Sequence, residues 1–423
     1  MSTETPTEVS AEEEARALRS PQVPRGMLPS LTVLSLVMFA SYIGLGQVLL
    51  PNQLTLIDEP NKVANLALIS TASFIFTLLT QPIIGTFSDR TRSRFGRRAP
   101  WMIIGAAIGA LLLVGISTLT DVIWVGIFYI AVQVSLNSVQ GPMTALIPDR
   151  YPRSKRGVAS AMFGLGTTLG LALGVVVAGQ LAFNLGIAYT AFGGAILIAV
   201  LLFTIFNRDF SSKEHEREPL TVKSFFAGLW ISPRKYPDFA WAFAARFLFI
   251  LGYFMVFFFE LFILTDYIGQ ELGEANKSIG LLALVALGTT VLGVLVGGAW
   301  SDRLSRRKIF VYVASVFVAV GFVVPLLIPD FTGMIIMSMI SGIGFGLYTA
   351  CDTALMTEVL PREGAAAGKD LGILNIATNL PQALSTALAG VLIASLGYPA
   401  IFVAGIVAVI LGGIALIPIK SVR

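Results

Sequence analysis

The 423-residue chain has little charge, one cysteine and one histidine. Because Cys351 is the only cysteine, the chain can form no internal disulfide. Because His215 is the only histidine, a histidine metal cluster is excluded, and we find no credible nucleophile triad. The ATP-binding pattern G-x-x-x-x-G-K-[ST] is also absent. The sequence therefore predicts neither an enzyme nor an ATP-driven pump, and neither a cofactor nor a bound metal.

Only 13% of the residues are charged, whereas 55% are hydrophobic. An apolar segment of about 18 or more residues is long enough to cross a bilayer as a helix. The sequence has roughly twelve such segments, at 28–50, 65–87, 100–119, 122–147, 158–181, 187–206, 238–267, 277–300, 308–328, 332–356, 368–394 and 397–418. This pattern predicts an all-α membrane protein with twelve transmembrane helices.

Lysine and arginine are concentrated in alternate connections between these segments, at 88–98, 149–156, 207–237 and 303–308. The other connections carry almost none. By the positive-inside rule, the basic loops and both termini are predicted to face the cytoplasm. Since topology accounts for the basic residues, they give no reason to expect nucleic-acid binding.

An internal repeat divides the chain. The segment GTFSDR from Gly85 has the same spacing as GAWSDR from Gly298, and ALIPDRYPRSKRG from Ala145 resembles ALMTEVLPREG from Ala354. Both pairs are about 210 residues apart, as expected for the duplications found in many transporters. We predict a disordered cytoplasmic tail at 1–27, six-helix bundles at 28–206 and 238–423, and a cytoplasmic linker at 207–237.

The repeated motif has a physical interpretation. A glycine lets the helix end approach a neighbouring helix closely, and the following acid can sit against that neighbour's positive amino-terminal end. The arginines then stay in water or pair with the acid. We predict a conformational latch rather than a binding site, formed by Gly85, Asp89, Arg90, Arg97, Arg98, Gly298, Asp302 and Arg303.

The motif resembles the loop signature of the major facilitator superfamily. Its longer form, SDRTRSRFGRRAPW from Ser88, resembles the glycoside-pentoside-hexuronide cation symporters and the plant sucrose transporters, as do NSVQGPMTALIPD from Asn137 and GILNIATNLPQ from Gly372. The resemblance implies two pseudo-symmetric bundles that rock around a central site, driven by a cation gradient, usually of protons. Plant sucrose transporters carry an aspartate on helix 4 that is implicated in proton coupling. Gln133 occupies that place here and cannot exchange a proton, which leaves an uncoupled facilitator or another ion as alternatives.

Ionisable residues within the predicted helices are costly unless they have a partner, a cavity or a function. Asp352 and Glu260 are therefore predicted as proton-carrying carboxylates. Arg246 lies on the same helix face as Glu260 and is predicted to pair with an acid or to bind substrate. The alternative is a structural ion pair that holds helices together.

Two stripes of side-chain amides repeat at helical spacing. They comprise Gln133, Asn137 and Gln140 on the fourth predicted helix and Asn375, Asn379 and Gln382 on the eleventh. Facing a cavity, they would offer donors and acceptors to a hydroxyl-rich ligand, and facing another helix they would be interhelical hydrogen bonds. Tyr42, Tyr253 and Tyr348 are candidates for stacking on a sugar ring.

The sequence thus predicts a monomeric secondary transporter of the cell membrane. Its expected partners are a sugar or glycoside, a proton or other cation, and the lipid bilayer. The alternatives are a proton-driven exporter of drugs or metabolites, an uncoupled sugar facilitator and a non-transporting membrane sensor.

Overall fold

The computed structural model describes residues 26–207, 234–304, 307–359 and 367–419. Within these ranges the chain forms helices and no strand. Most of the tail and of the linker predicted above lies outside the described residues, so these two predictions remain untested.

Twelve helices are numbered in chain order. In the first half they are α1 Met27–Ile57, α2 Lys62–Arg90, α3 Ala99–Ile116, α4 Val122–Arg150, α5 Arg153–Leu181 and α6 Leu185–Phe206. In the second half they are α7 Pro237–Phe257, continued by Glu260–Phe262 and Ile263–Tyr267, then α8 Leu272–Leu304, α9 Arg307–Leu327, α10 Phe331–Val359, α11 Ala367–Leu396 and α12 Pro399–Ile414. Eleven are long and apolar enough to cross a membrane, and α12 is a shorter apolar helix. The prediction of an all-α, twelve-helix membrane protein is confirmed.

The helices place apolar side chains on the outside of the bundle. On α3, Ile104, Ile108 and Leu111 are exposed, whereas Gly105 and Gly109 are buried. In water this arrangement would be unfavourable, but against lipid tails it costs little, and small residues let helices pack closely. The exposed apolar residues therefore mark the lipid-facing surface.

The two halves repeat one packing scheme. In the first half α1 packs on α5 and α6, α2 on α4, and α3 on α4 and α6. In the second half the same pairs recur with every helix number raised by six. This pseudo-symmetry matches the internal sequence repeat.

The halves meet where α2 packs on α11 and α5 on α8. Among pairs of described residues, the hydrogen bonds that join a side chain of one half to a side chain of the other lie toward the end opposite the basic loops. These are the pairs Lys62–Asp266, Asn52–Asn276, Gln47–Glu260 and Thr71–Thr386, which we call the seam. The protein is therefore closed at the end away from its basic loops.

Candidate functional site

The centre of the second half contains an ion pair between α7 and α10. Arg246 follows Pro237 by nine residues, which places it about 14 Å along α7 and inside the membrane span. Its guanidinium lies 2.8 Å from Asp352 Oδ2 and also donates to Thr378 Oγ1 of α11 at 2.8 Å. The side chains of Arg246 and Asp352 are only 14% and 9% exposed. One arginine thus links three helices of the second half.

Two stacked pairs of aromatic rings lie on the same two helices as this ion pair. Tyr348, one turn before Asp352, stacks on Phe249 with ring centroids 3.7 Å apart. Tyr253 stacks in the same way on Phe345 at 4.4 Å. Nε of Arg246 is buried without a hydrogen-bond partner among the described residues, and the hydroxyl of Tyr348 is buried next to the carboxyl group of Asp352.

The first half contains a second buried polar group on α4. Gln133 donates to the hydroxyl of Tyr129 at 2.7 Å. The amide nitrogen of Asn137 donates to Thr77 Oγ1 at 3.1 Å and to the backbone carbonyl of Gln133 at 2.8 Å. Part of the α4 amide stripe is thus used inside the first half. The carbonyl oxygen of the Asn137 side chain is buried and has no partner within the described structure.

Two other predicted residues flank this group. Gln140, one turn further along α4, is only partly buried. The hydroxyl of Tyr42 on α1 is buried, and no described residue bonds to it. Both halves therefore contain buried polar atoms that the described protein leaves unsatisfied.

The predicted residues of α11 separate along the helix. Asn379 and Gln382 are partly buried, and the side chain of Asn375 lies outside the described structure. Thr386, which continues the stripe, belongs to the seam, where its hydroxyl lies 3.0 Å from that of Thr71. Thr378, which contacts Arg246, lies one residue from Asn379 and was missed by the sequence analysis because a single threonine in an apolar helix carries no signal.

Glu260 is buried in the seam. Gln47 Nε2 donates to its Oε2 at 2.9 Å and to the backbone carbonyl of Phe257 at 3.0 Å. Gln47 lies in a π-helical turn of α1, Gly44–Leu49, and Glu260 follows the interruption of α7 after Phe257. The sequence analysis missed Gln47, although an amide in an apolar run is itself a signal.

Nearer the protein surface, Lys62 pairs with Asp266 at 2.7 Å. Tyr398 donates its hydroxyl to the other oxygen of Asp266 at 2.7 Å. Burial and this hydrogen bond to Asp266 raise the pKa of Tyr398, so the tyrosine remains a neutral donor. The seam therefore ends in a charged cluster at its mouth.

At the basic end, the motif residues of the first half form an ion-pair cluster. Arg98, directly before α3, lies 2.5 Å from Asp89 and 3.1 Å from Asp149. Arg97 reaches Asp149 at 2.7 Å. Asp149 ends the segment NSVQGPMTALIPD and was not among the predicted latch residues. Arg90, the last residue of α2, is partly buried.

The glycines of the two motifs make no close contact in this conformation. No described atom lies within 4 Å of the position that a Cβ would take at Gly85 or Gly298. Arg303 is exposed, and the side chain of Asp302 lies outside the described structure.

The protein has two six-helix halves with the same packing scheme. The halves are closed against each other at one end, and each is polar at its centre. These features define a membrane transporter of the major facilitator type. Residues 62–421 match the profile of the MFS/sugar transport protein family, so the chain belongs to that family. Its members are transporters rather than enzymes.

The relatives agree with this assignment. The chain is 23% identical over 376 residues to the sucrose transport protein SUC4 of Arabidopsis thaliana, covering 73% of each chain. It is 39% identical over 87 residues to an uncharacterized symporter of Synechocystis, a match that covers 18% of this chain and 16% of that protein. The crystal structure of the nucleoside transporter NupG has the same fold, with a TM-score of 0.70 at 12% identity over 92% of this chain and 97% of that chain.

Proposed function

We propose that the protein is a secondary active transporter that moves a sugar or glycoside across the cell membrane by alternating access, coupled to protons. The buried Arg246–Asp352 pair carries this proposal, because a charged pair within a membrane span is expensive unless it serves transport or holds helices together. The basic loops face the cytoplasm, so the closed seam is on the outer side.

The unsatisfied polar atoms support a hydroxyl-rich substrate. Those at the centres of the two halves are the Tyr42 hydroxyl and Asn137 Oδ1 in the first half and Arg246 Nε in the second half. A buried polar atom without a partner costs about 1–3 kcal/mol, which a ligand that supplies the missing hydrogen bonds recovers. The rings of Tyr253 and Tyr348 are packed on Phe345 and Phe249 in this conformation, so stacking of a sugar ring on either tyrosine requires these contacts to open.

Two carboxyl groups are candidates for proton coupling. Asp352 is beside the proposed substrate site, and Glu260 is in the seam. Gln133 donates a hydrogen bond but does not titrate, so coupling through α4 is not part of the proposal.

The test is uptake of labelled disaccharides into proteoliposomes, with and without an inward proton gradient. We expect accumulation above equilibrium that an uncoupler abolishes, and Asp352→Asn is expected to lose it. Asp330→Asn is the matched control, because Asp330 is an exposed carboxylate that caps α10 and asparagine caps equally well.

The other outcomes are equally informative. If the labelled sugar equilibrates across the membrane equally with and without the proton gradient, the protein is a facilitator. This result would agree with the side chain of Gln133, which does not titrate. Absence of flux for every sugar would overturn the substrate class and leave only the family assignment.

A further inference from the structure

The two halves of the protein meet through interrupted helices. α1 contains the π-helical turn Gly44–Leu49, and the last part of α7 contains the π-helical turn Ile263–Tyr267. α1 and α7 are equivalent helices of the repeated packing scheme. Because π-helical turns weaken the regular hydrogen-bond ladder and are frequent at functional sites, both helices can change shape next to the seam.

Glu260 is the acid that the seam buries at this point. It is 8% exposed, and its only side-chain hydrogen bond to a described residue comes from the neutral amide of Gln47 across the seam. An ionised carboxylate that is buried without a cation is strongly disfavoured. The closed seam therefore accommodates the neutral acid far better than the ion.

The charged groups around Glu260 do not change this balance. On α7, Tyr253 is a neutral hydroxyl, and Asp266 is paired with Lys62 at the mouth of the seam. The polar side chains of α1 and α8 that form hydrogen bonds at this end of the seam, Gln47, Asn52 and Asn276, are amides that do not titrate. The charged residues at the start of α8, which include Glu271, Glu274 and Lys277, are exposed to solvent.

We propose that Glu260 is the group whose protonation closes the seam and whose ionisation opens it. When the seam separates, the carboxyl loses its contact with Gln47 and becomes accessible to water, where it can ionise. Uptake of a proton from water on the outer side then permits closure, and in the reverse step the seam opens and the carboxyl returns the proton to that water. In this scheme Glu260 couples the proton to the conformational change and does not contact the substrate.

This inference rests on the proposed function, since alternating access requires the seam to open. It is tested without substrate by measuring the distance across the seam with spin labels. Thr120→Cys and Ser395→Cys place labels on exposed sites of the first and second half at the seam end, in a protein whose native cysteine has been replaced. Pulsed electron spin resonance in liposomes at several pH values then gives the closed and open populations.

We expect the closed fraction to fall as the pH rises, by at most tenfold in the closed-to-open ratio per pH unit, since one proton is involved. Glu260→Gln, which mimics the neutral acid, should stay closed at every pH. Glu274→Gln, which removes an exposed carboxylate from α8, should respond like the unmodified protein.

A second variant separates the proton from the hydrogen bond. Gln47→Leu removes the amide donor and leaves the carboxyl, so the pH response should persist. Distances that do not change with pH, a response that survives Glu260→Gln, or a response that is lost in Gln47→Leu would each overturn the proposal. A failure of sugar uptake would instead refute the proposed function and leave these distances unaffected.

Discussion

Removing one partner of the Arg246–Asp352 pair is expected to destabilise the protein far more than removing both. The two charges lie 2.8 Å apart, and at an effective dielectric constant of about 20 their attraction is about 6 kcal/mol before the cost of desolvation. Loss of one partner from a buried pair costs about 3–5 kcal/mol, because the other charge stays buried alone. Arg246→Met and Asp352→Leu should each lower the free energy of unfolding by that amount. The double variant should lie within about 1–2 kcal/mol of the unmodified protein.

The assay is reversible unfolding in mixed micelles, followed by intrinsic tryptophan fluorescence and combined with sugar uptake. The pair Lys62–Asp266 provides the comparison: its side chains are 10% and 28% exposed, against 14% and 9% for Arg246 and Asp352, so the better solvated carboxylate should make the loss of one partner less costly. If the Arg246–Asp352 pair serves transport, the double variant should be stable but inactive.

Two results would refute this reasoning. Uptake restored in the double variant would identify the pair as a structural link between α7 and α10. Single variants that cost less than about 1 kcal/mol would show that the pair behaves like an exposed one.

Two further predictions concern the seam. In a cysteine-free background, the double variant Thr71→Cys with Thr386→Cys should form a disulfide, because the two native hydroxyls are 3.0 Å apart. Sugar uptake should then stop until a reductant is added. Unchanged uptake after cross-linking would show that the seam need not open. Gly179→Ala should reduce uptake several-fold, because its new Cβ would lie 2.2 Å from the backbone carbonyl oxygen of Asn276. The control Gly164→Ala on the same helix should have no effect, since no described atom lies within 4 Å of its new Cβ. Equal uptake by the two variants would contradict the close contact.

Part of this architecture follows directly from local sequence. Whether a segment spans a membrane depends on its length and hydrophobicity, so the number of helices and the α-helical class were predictable. The duplication was visible because the motifs at Gly85 and Gly298 repeat at one offset. Asp352 and Glu260 also stood out, since acids within apolar runs are few.

The partners of these residues depended on packing. Arg246 could have paired with either acid, and only the arrangement of α7, α10 and α11 places it against Asp352 and Thr378. The same holds for the amide stripes. Helical spacing puts Gln133 and Asn137 on one face of α4, but it does not say that Tyr129 and Thr77 meet that face.

The sequence by itself determined the twelve helices, the two halves and the family, because hydrophobic length, loop charge and repeated motifs are properties of contiguous residues. Only the tertiary structure decided which end of the transporter is closed and how. Gln47 meets Glu260 across 213 residues and Asn52 meets Asn276 across 224. Contacts between such distant residues arise from the way the two bundles pack against each other, and the alternating access that we propose would change that arrangement without changing the sequence.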